Sequence, residues 1–316
     1  MFDWMPYAVP EPKKIRLIVN TDAANEADDQ FAIAHALLTP RFRIEGLIGA
    51  HFGTRSATSL EESCAEIEKL LRLMKLEDRY AAVPGAPGAM PDERTPVPSA
   101  GAELIVKEAL RDDPAPLFVI FLGPLTDLAS AYLADPRIAD RLTAVWIGGG
   151  TYPNGGAEFN AGNDIAAANV VLGSPIELWQ VPKNVYSMIR VSLAELAVRV
   201  RPQGELGRYL FDQLVAFNVN WGDQPRWPKG EMWMLGDSPA VSLLLDDHAF
   251  EYDLRPAPRI RQDGSYEPAS GDSPRLIRVY RSVDSRFTLE DMYAKLALFH
   301  EASSGPDPAA PWGKRS

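Results

Sequence analysis

Ile15-Arg16-Leu17-Ile18-Val19-Asn20-Thr21-Asp22-Ala23-Ala24-Asn25-Glu26-Ala27-Asp28-Asp29 opens on an apolar run and closes on acid. The run over 15–19 is short, β-branched and apolar at nearly every position. That pattern is the mark of a strand buried on both faces of a parallel sheet. Helical spacing begins at Asp28 and continues to 38. The acidic stretch over 20–29 therefore falls in the loop between the first strand and the first helix. In parallel sheets ligands gather beyond the carboxyl ends of the strands, which is where this loop sits.

Outward from that loop, the same alternation recurs. Apolar runs over 42–50, 80–83, 117–122, 144–147 and 176–181 read as strands. The segments 59–76, 100–110, 125–133 and 164–172 read as helices, the first with Leu60, Ile67, Leu70, Leu71 and Met74 at helical spacing. The expectation is an α/β chain with an open, mostly parallel (Rossmann-like) central sheet and helices on both faces. After Pro182 the rhythm breaks. Residues 192–217 look mainly helical, 219–234 are rich in tryptophan, and 237–245 form a further helix. A late strand pair over 250–260 and 276–283 flanks a polar loop near Gly264 and Gly271, and 289–299 closes the chain as a helix. Residues 1–12 read as an N-terminal extension and 303–316 as a loose tail. With no internal repeat and no linker, one domain over 1–316 is expected.

The bulk composition narrows the partners. With 316 residues, 46% of them hydrophobic, the chain can bury a large core. Its net charge of −11 repels a phosphate backbone and suits a metal cation or a small neutral ligand, so no nucleic-acid partner is expected. The one cysteine, Cys64, forms no internal disulfide and falls among core positions of a helix. No apolar run reaches the length of a membrane span, and the first twelve residues lack the basic start of a secretory signal. A cytoplasmic enzyme with no membrane partner is the expectation.

The loop places Asp22, Glu26, Asp28 and Asp29 within eight residues. Carboxylates crowded this way repel one another unless a cation neutralises them, and hard oxygen donors select calcium or magnesium over zinc. The four histidines, His35, His51, His248 and His300, show no ligand spacing. The plainer reading is a helix N-terminus, where acids cap free N–H groups and suit the helix dipole. It explains Asp28 and Asp29 but not four acids at one strand end.

These residues resemble the calcium-dependent nucleoside hydrolases, whose first strand ends in Asp-x-Asp-x-x-x-Asp-Asp. Here Asn20-Thr21-Asp22 is followed by five residues and then Asp28-Asp29, with Asn20 at the opening aspartate and two extra residues between. Three further matches follow in order. Phe121-Leu122-Gly123-Pro124-Leu125-Thr126-Asp127 is similar to the family's Gly-Pro-Leu-Thr-Asn segment. Ile147-Gly148-Gly149-Gly150 with Ala157-Glu158-Phe159-Asn160 is similar to its Met-Gly-Gly-Gly and Ala-Glu-Phe-Asn pair. Leu235-Gly236-Asp237-Ser238-Pro239 is similar to its late His-Asp-Pro-like motif.

The resemblance implies a calcium ion held by Asp22, Asp29, Asp237 and the backbone carbonyl of Leu122. It implies ribose hydrogen bonds from Asp28, Glu158, Asn160 and Asn154, and Asp22 as general base toward a metal-activated water that attacks an N-ribosidic bond with inversion. It also implies a homodimer or homotetramer acting on a nucleoside or related riboside.

Leaving-group activation departs from the pattern, because many relatives carry a histidine where this chain has Gly236. His51, at the end of the second strand, replaces a Gly-Asn contact and is a candidate to touch the substrate or act as an acid. Trp221, Trp227 and Trp233 precede Asp237, and each reads either as packing or as a base-stacking ring. Trp233 is assigned to the substrate. Two rivals remain. One is a calcium-dependent nucleoside-binding protein without turnover. The other is a haloacid-dehalogenase-type phosphatase, which needs a nucleophilic aspartate where Asn20 stands.

Overall fold

A computed structural model describes residues 4–220, 230–246, 250–267 and 274–304. The first two-thirds run β1 (Ile15–Thr21), α1 (Asp29–Leu37), β2 (Phe42–Gly49), α2 (Ser59–Leu73), β3 (Ala82–Pro84), α3 (Ala100–Leu110), β4 (Leu117–Phe121), α4 (Thr126–Ala134), β5 (Thr143–Ile147), α5 (Phe159–Asn163), α6 (Ile165–Gly173) and β6 (Glu177–Val181). The remainder runs α7 (Lys183–Tyr186), β7 (Arg190–Ser192), α8 (Leu193–Arg199), α9 (Gly204–Asn220), β8 (Met232–Met234), α10 (Pro239–Ser242), β9 (Tyr252–Pro256), β10 (Arg259–Ile260), β11 (Tyr266–Glu267), β12 (Leu276–Tyr280) and α11 (Ser285–Ser304).

Eight strands make one sheet in the order β3-β2-β1-β4-β5-β6-β12-β9. Every neighbouring pair is parallel except β12 with β9, the late strand pair expected from the sequence. β1 is buried along its whole length, as its unbroken apolar run requires. Phe31, Ile33 and Leu37 of α1 share a fully buried cluster with Leu17 and Val19, each burial worth about 1.5–3 kcal/mol before the entropy of ordering. Side chains from α1, α2, α9 and α11 fill one face, and those from α3, α4 and α6 fill the other. The chain leaves β1 toward β2 and β3, then returns to β1's other side for β4. The crevice of an open sheet lies at such a reversal, so the topology puts it between the ends of β1 and β4.

The differences from the expected elements have local causes. α2 stops at Leu73 rather than at 76, because Lys75 turns to φ 57 and the Leu76 N–H returns to the Leu71 carbonyl. The helical stretch over 192–217 divides into α8 and α9 around Pro202, where Gly204 takes φ 69. α10 is four residues long and continues as turns, with Leu244 and Leu245 bonding three residues back. The N-terminal extension is anchored where it is described: Trp4 packs edge-on against Phe299 at 5.8 Å. Trp221, Trp227, His248 and the tail beyond 304 lie outside the described residues.

Candidate active site

The loops that leave β1, β4 and β5 meet the segment 236–237 at the carboxyl edge of the sheet. They enclose a small cavity of about 60 Å³. Asp22, Asn25, Glu26, Asp28 and Asp29 line it from the first loop, Leu122 and Ile147 from β4 and β5, Glu158, Phe159 and Asn160 from the start of α5, and Tyr186, Gly236 and Asp237 from the last third. A larger cavity of about 690 Å³ opens near Lys14 and Phe42, at the strands' opposite, amino ends. Its Arg43 and Arg111 are engaged by Glu45 and Asp113, so the chemistry belongs to the smaller one.

Each acid reaches the cavity for a local reason. Asp22 packs on bare backbone: a Cβ added to Gly123 would lie 2.8 Å from its carboxyl carbon. Asp29 is held by the Thr21 hydroxyl. Asp28 precedes α1 but makes no cap bond to it. Its Oδ2 instead accepts the Asp237 N–H at 3.2 Å, across 209 residues of sequence. Asp237 is not the cap of α10 either, since Ser238 holds that position. The helix-capping reading of Asp28 therefore falls away.

With the acids so close, burial first and mutual repulsion second push their pKa values up. Asp22 and Asp237 lie well above the ordinary carboxylate range, Asp29 rises to about 8 through burial and the charge of Asp28, and Glu26 to about 8 through burial and Asp28. Asp28 is raised less, to about 6, because burial is opposed by backbone N–H groups led by that of Asp237.

This set fits a hard divalent cation. Oxygens of Asp28, Asp29 and Asp237 lie within 4.8 Å of one another, and all three residues are buried. Asp22 Oδ2 is buried without a hydrogen-bond partner, a costly state that a cation relieves. The tightest group thus includes Asp28, expected on the sugar, in place of Asp22. Since Asp28 already accepts a backbone N–H while Asp22 Oδ2 accepts nothing, Asp22 is the freer ligand.

Glu158 and Asn160 are fixed by one another. Glu158 caps α5 and accepts four donors: the N–H groups of Gly149 (2.8 Å), Asn160 (3.2 Å) and Ala161 (2.9 Å), and the Tyr186 hydroxyl (3.0 Å). Gly149 reaches it with φ 83, which a side chain at that position would oppose. Asn160 Nδ2 donates to the carbonyls of Leu122 (2.7 Å) and Ile147 (2.8 Å), which leaves its Oδ1 as an acceptor for a hydroxyl.

Three expected site residues stand elsewhere. His51 is buried beneath the neighbouring loop, its Nε2 bonded to Thr126 Oγ1 at 2.8 Å and its Nδ1 accepting the Gly53 N–H, so both ring nitrogens are engaged within the protein. Asn154 is exposed on the loop after β5, which Tyr266 pins through its carbonyl. Trp233 is fully buried on β8 against Phe217, ring centroids 5.6 Å apart, the packing alternative of its sequence reading. Conversely, Asn25, Phe159 and Tyr186 line the cavity without having been singled out. Glu26 lines it too, as one of the four acids of the first loop. Phe159 lies inside a motif quoted above, whereas nothing in sequence announces Tyr186, which α7 brings over Gly236.

A cage of buried carboxylates at the reversal point of a parallel sheet fits a divalent-metal centre in an open α/β protein. The family model described as inosine-uridine preferring nucleoside hydrolase matches residues 17–287, and the chain belongs to that family. It is an enzyme that hydrolyses the N-glycosidic bond of ribonucleosides. Uridine nucleosidase 1 of Arabidopsis thaliana is 26% identical over 90% of this chain and 94% of its own length. The inosine-uridine preferring nucleoside hydrolase of Leishmania major is 32% identical over 46% of each chain. Among solved structures, a purine-preferring ribonucleoside hydrolase from Gardnerella vaginalis superimposes with a TM-score of 0.75 at 17% identity, covering 91% of this chain and 99% of its own. A plant nucleoside hydrolase gives 0.74 at 19%, covering 90% and 99%. These likenesses favour neither the phosphatase nor the binding protein without turnover.

Proposed function

We propose that this hydrolase acts as a calcium-dependent nucleosidase in which Asp22 is the general base. The observation that carries the reading is the convergence of Asp22, Asp28 and Asp29 with Asp237 on one cavity. Asp22, Asp29, Asp237 and the Leu122 carbonyl would hold the ion, with Asp28 close enough to share it. When bound, it supplies the positive charge that lets these acids ionise together and lowers the pKa of a water beside it.

Asp22 takes the proton from the attacking water, whose oxygen bonds to the anomeric carbon as the carbon–nitrogen bond breaks and its electron pair leaves with the base. Asp28 and Asn160 Oδ1 accept hydrogen bonds from ribose hydroxyls and fix the ring. Glu158 keeps negative charge near the oxocarbenium-like carbon. Attack opposite the base gives inversion. We further assign the chain to the cytoplasm, as one domain in a homodimer or homotetramer; no helix among the described residues is long and apolar enough to cross a membrane.

The test is free ribose released from uridine, inosine and cytidine by purified protein. Chelation is expected to abolish release and calcium to restore it. Asp22→Asn is expected to abolish it while the melting curve is retained. Activity untouched by chelator removes the ion from the account, and full activity in Asp22→Asn removes the base.

A further inference from the structure

Just behind the site, on the α3–α4 face of the sheet, a second carboxylate is buried among neutral donors. Asp127 Oδ2 accepts the Asn20 side-chain amide at 2.9 Å. Its Oδ1 accepts the Ala86 N–H at 2.9 Å and the Ser99 hydroxyl at 2.6 Å, and Ser99 also caps α3. A Cβ on Gly85 would stand 2.4 Å from Asp127 Oδ2, so backbone closes over the group. Four segments meet there: the end of β1, the loop after β3, the start of α3 and the first turn of α4.

We propose that Asn20 and Asp127 are an exchangeable amide–carboxylate pair that positions the site residues at the ends of β1 and β4. The proposal rests on the function assigned above. Asn20 is one peptide from Thr21, whose hydroxyl holds Asp29, and two from Asp22. Its carbonyl accepts the Leu122 N–H at 2.9 Å, so it also sets the peptide that presents the Leu122 carbonyl. Both positions depart from the family pattern quoted above, each into the residue type the pattern has at the other.

The bonds account for why the departures go together. With aspartate at 20 and asparagine at 127, the new amide oxygen would accept from Ala86 and Ser99, and its nitrogen would donate to the carboxylate at 20. All three contacts and the net charge would survive. In the present arrangement the charge sits where three donors reach it, whereas Asn20 Oδ1 is buried without a partner, a state cheaper for an amide than for a carboxylate. Asn20→Asp alone sets two buried carboxylates face to face. Asp127→Asn alone leaves an amide facing an amide.

The experiment compares wild type, Asn20→Asp, Asp127→Asn, the double exchange and Ser99→Ala. The readouts are uridine kcat and KM, calcium affinity by titration calorimetry, and melting temperature. Asn20→Asp is expected to lose at least tenfold in both kcat/KM and calcium affinity, and the double exchange to return both to within threefold of wild type. A double variant that loses the product of the two single losses overturns the pairing, as does an Asn20→Asp protein that matches wild type. Should Asn20→Asp not fold, recovery of a cooperative melt and of calcium binding in the double exchange supports the pairing, and an unfolded double exchange overturns it. Ser99→Ala, which loosens Asp127 without touching β1, is expected to lower the melting temperature but keep calcium affinity within twofold; a parallel loss of affinity would reduce the pair to plain stability. If wild type hydrolyses no nucleoside while calcium affinity still follows the exchange, the assigned function fails and the pairing stands.

Discussion

Gly236 stands where the resembled motif has a histidine, and the structure shows what occupies the space. A Cβ there would stand 3.0 Å from Tyr186 Cδ2 and 3.4 Å from Asp28 Oδ2. The Tyr186 ring thus forms the wall that a side chain at 236 would otherwise form, and it carries the one hydroxyl among the described residues that line the cavity. Burial first, then the Glu158 charge, keeps that phenol protonated. Tyr186→Phe keeps the ring and removes the donor to Glu158. A hydrogen bond to a charged group contributes about 1.5 kcal/mol to stability, so the melting temperature should fall, and kcat/KM should fall by up to roughly tenfold as Glu158 loses the donor that holds it. Unchanged kinetics would limit Tyr186 to filling space.

Among the elements, α5 decides the most with the fewest residues. It is five residues long, and its apolar positions show no period to read. What starts it is Glu158, whose carboxylate gathers three backbone N–H groups and a phenol. Glu158→Ala strips the cap and leaves buried N–H groups without an acceptor, an expected loss of about 2–4 kcal/mol in urea denaturation. Glu158→Gln keeps an acceptor oxygen, so it should lose less stability while kcat still falls, because the negative charge is gone. If the alanine variant is as stable as wild type, the start of α5 has been misjudged. The sequence shows Glu158 and Asn160 as a motif, but the cap is visible only once the Gly149 turn comes back to it.

At the scale of the whole molecule, the acidic cluster links stability, metal and pH. Glu26 and Asp29 titrate near 8 and Asp28 near 6 in the metal-free fold, all above their unfolded values near 4. The folded state then binds more protons than the unfolded one across this interval. The chelated protein should therefore be most stable at low pH and lose stability as pH rises from about 4 through 8. Calcium holds the acids ionised and should remove that decline. Ion binding near pH 7 should release about one proton or more, and fewer as pH rises past 8. Melting curves with chelator and with calcium over pH 5–9, and calorimetry in two buffers of different ionisation heat, measure both effects. Buffer-independent heats would exclude the coupling.

The sequence alone determined the strands from β1 to β6 and the acids after β1. Those features are carried by unbroken apolar runs and by residue types whose chemistry is local, so order along the chain suffices to read them. Tertiary structure decided what depends on approach between distant segments. The Asp237 N–H on Asp28, Tyr186 over the bare Gly236 and Asn20 against Asp127 each join residues at least fifty positions apart. His51 and Trp233 were misplaced for the same reason. A polar or aromatic side chain near a strand end can face the crevice or the core, and only the helices packed behind it determine which.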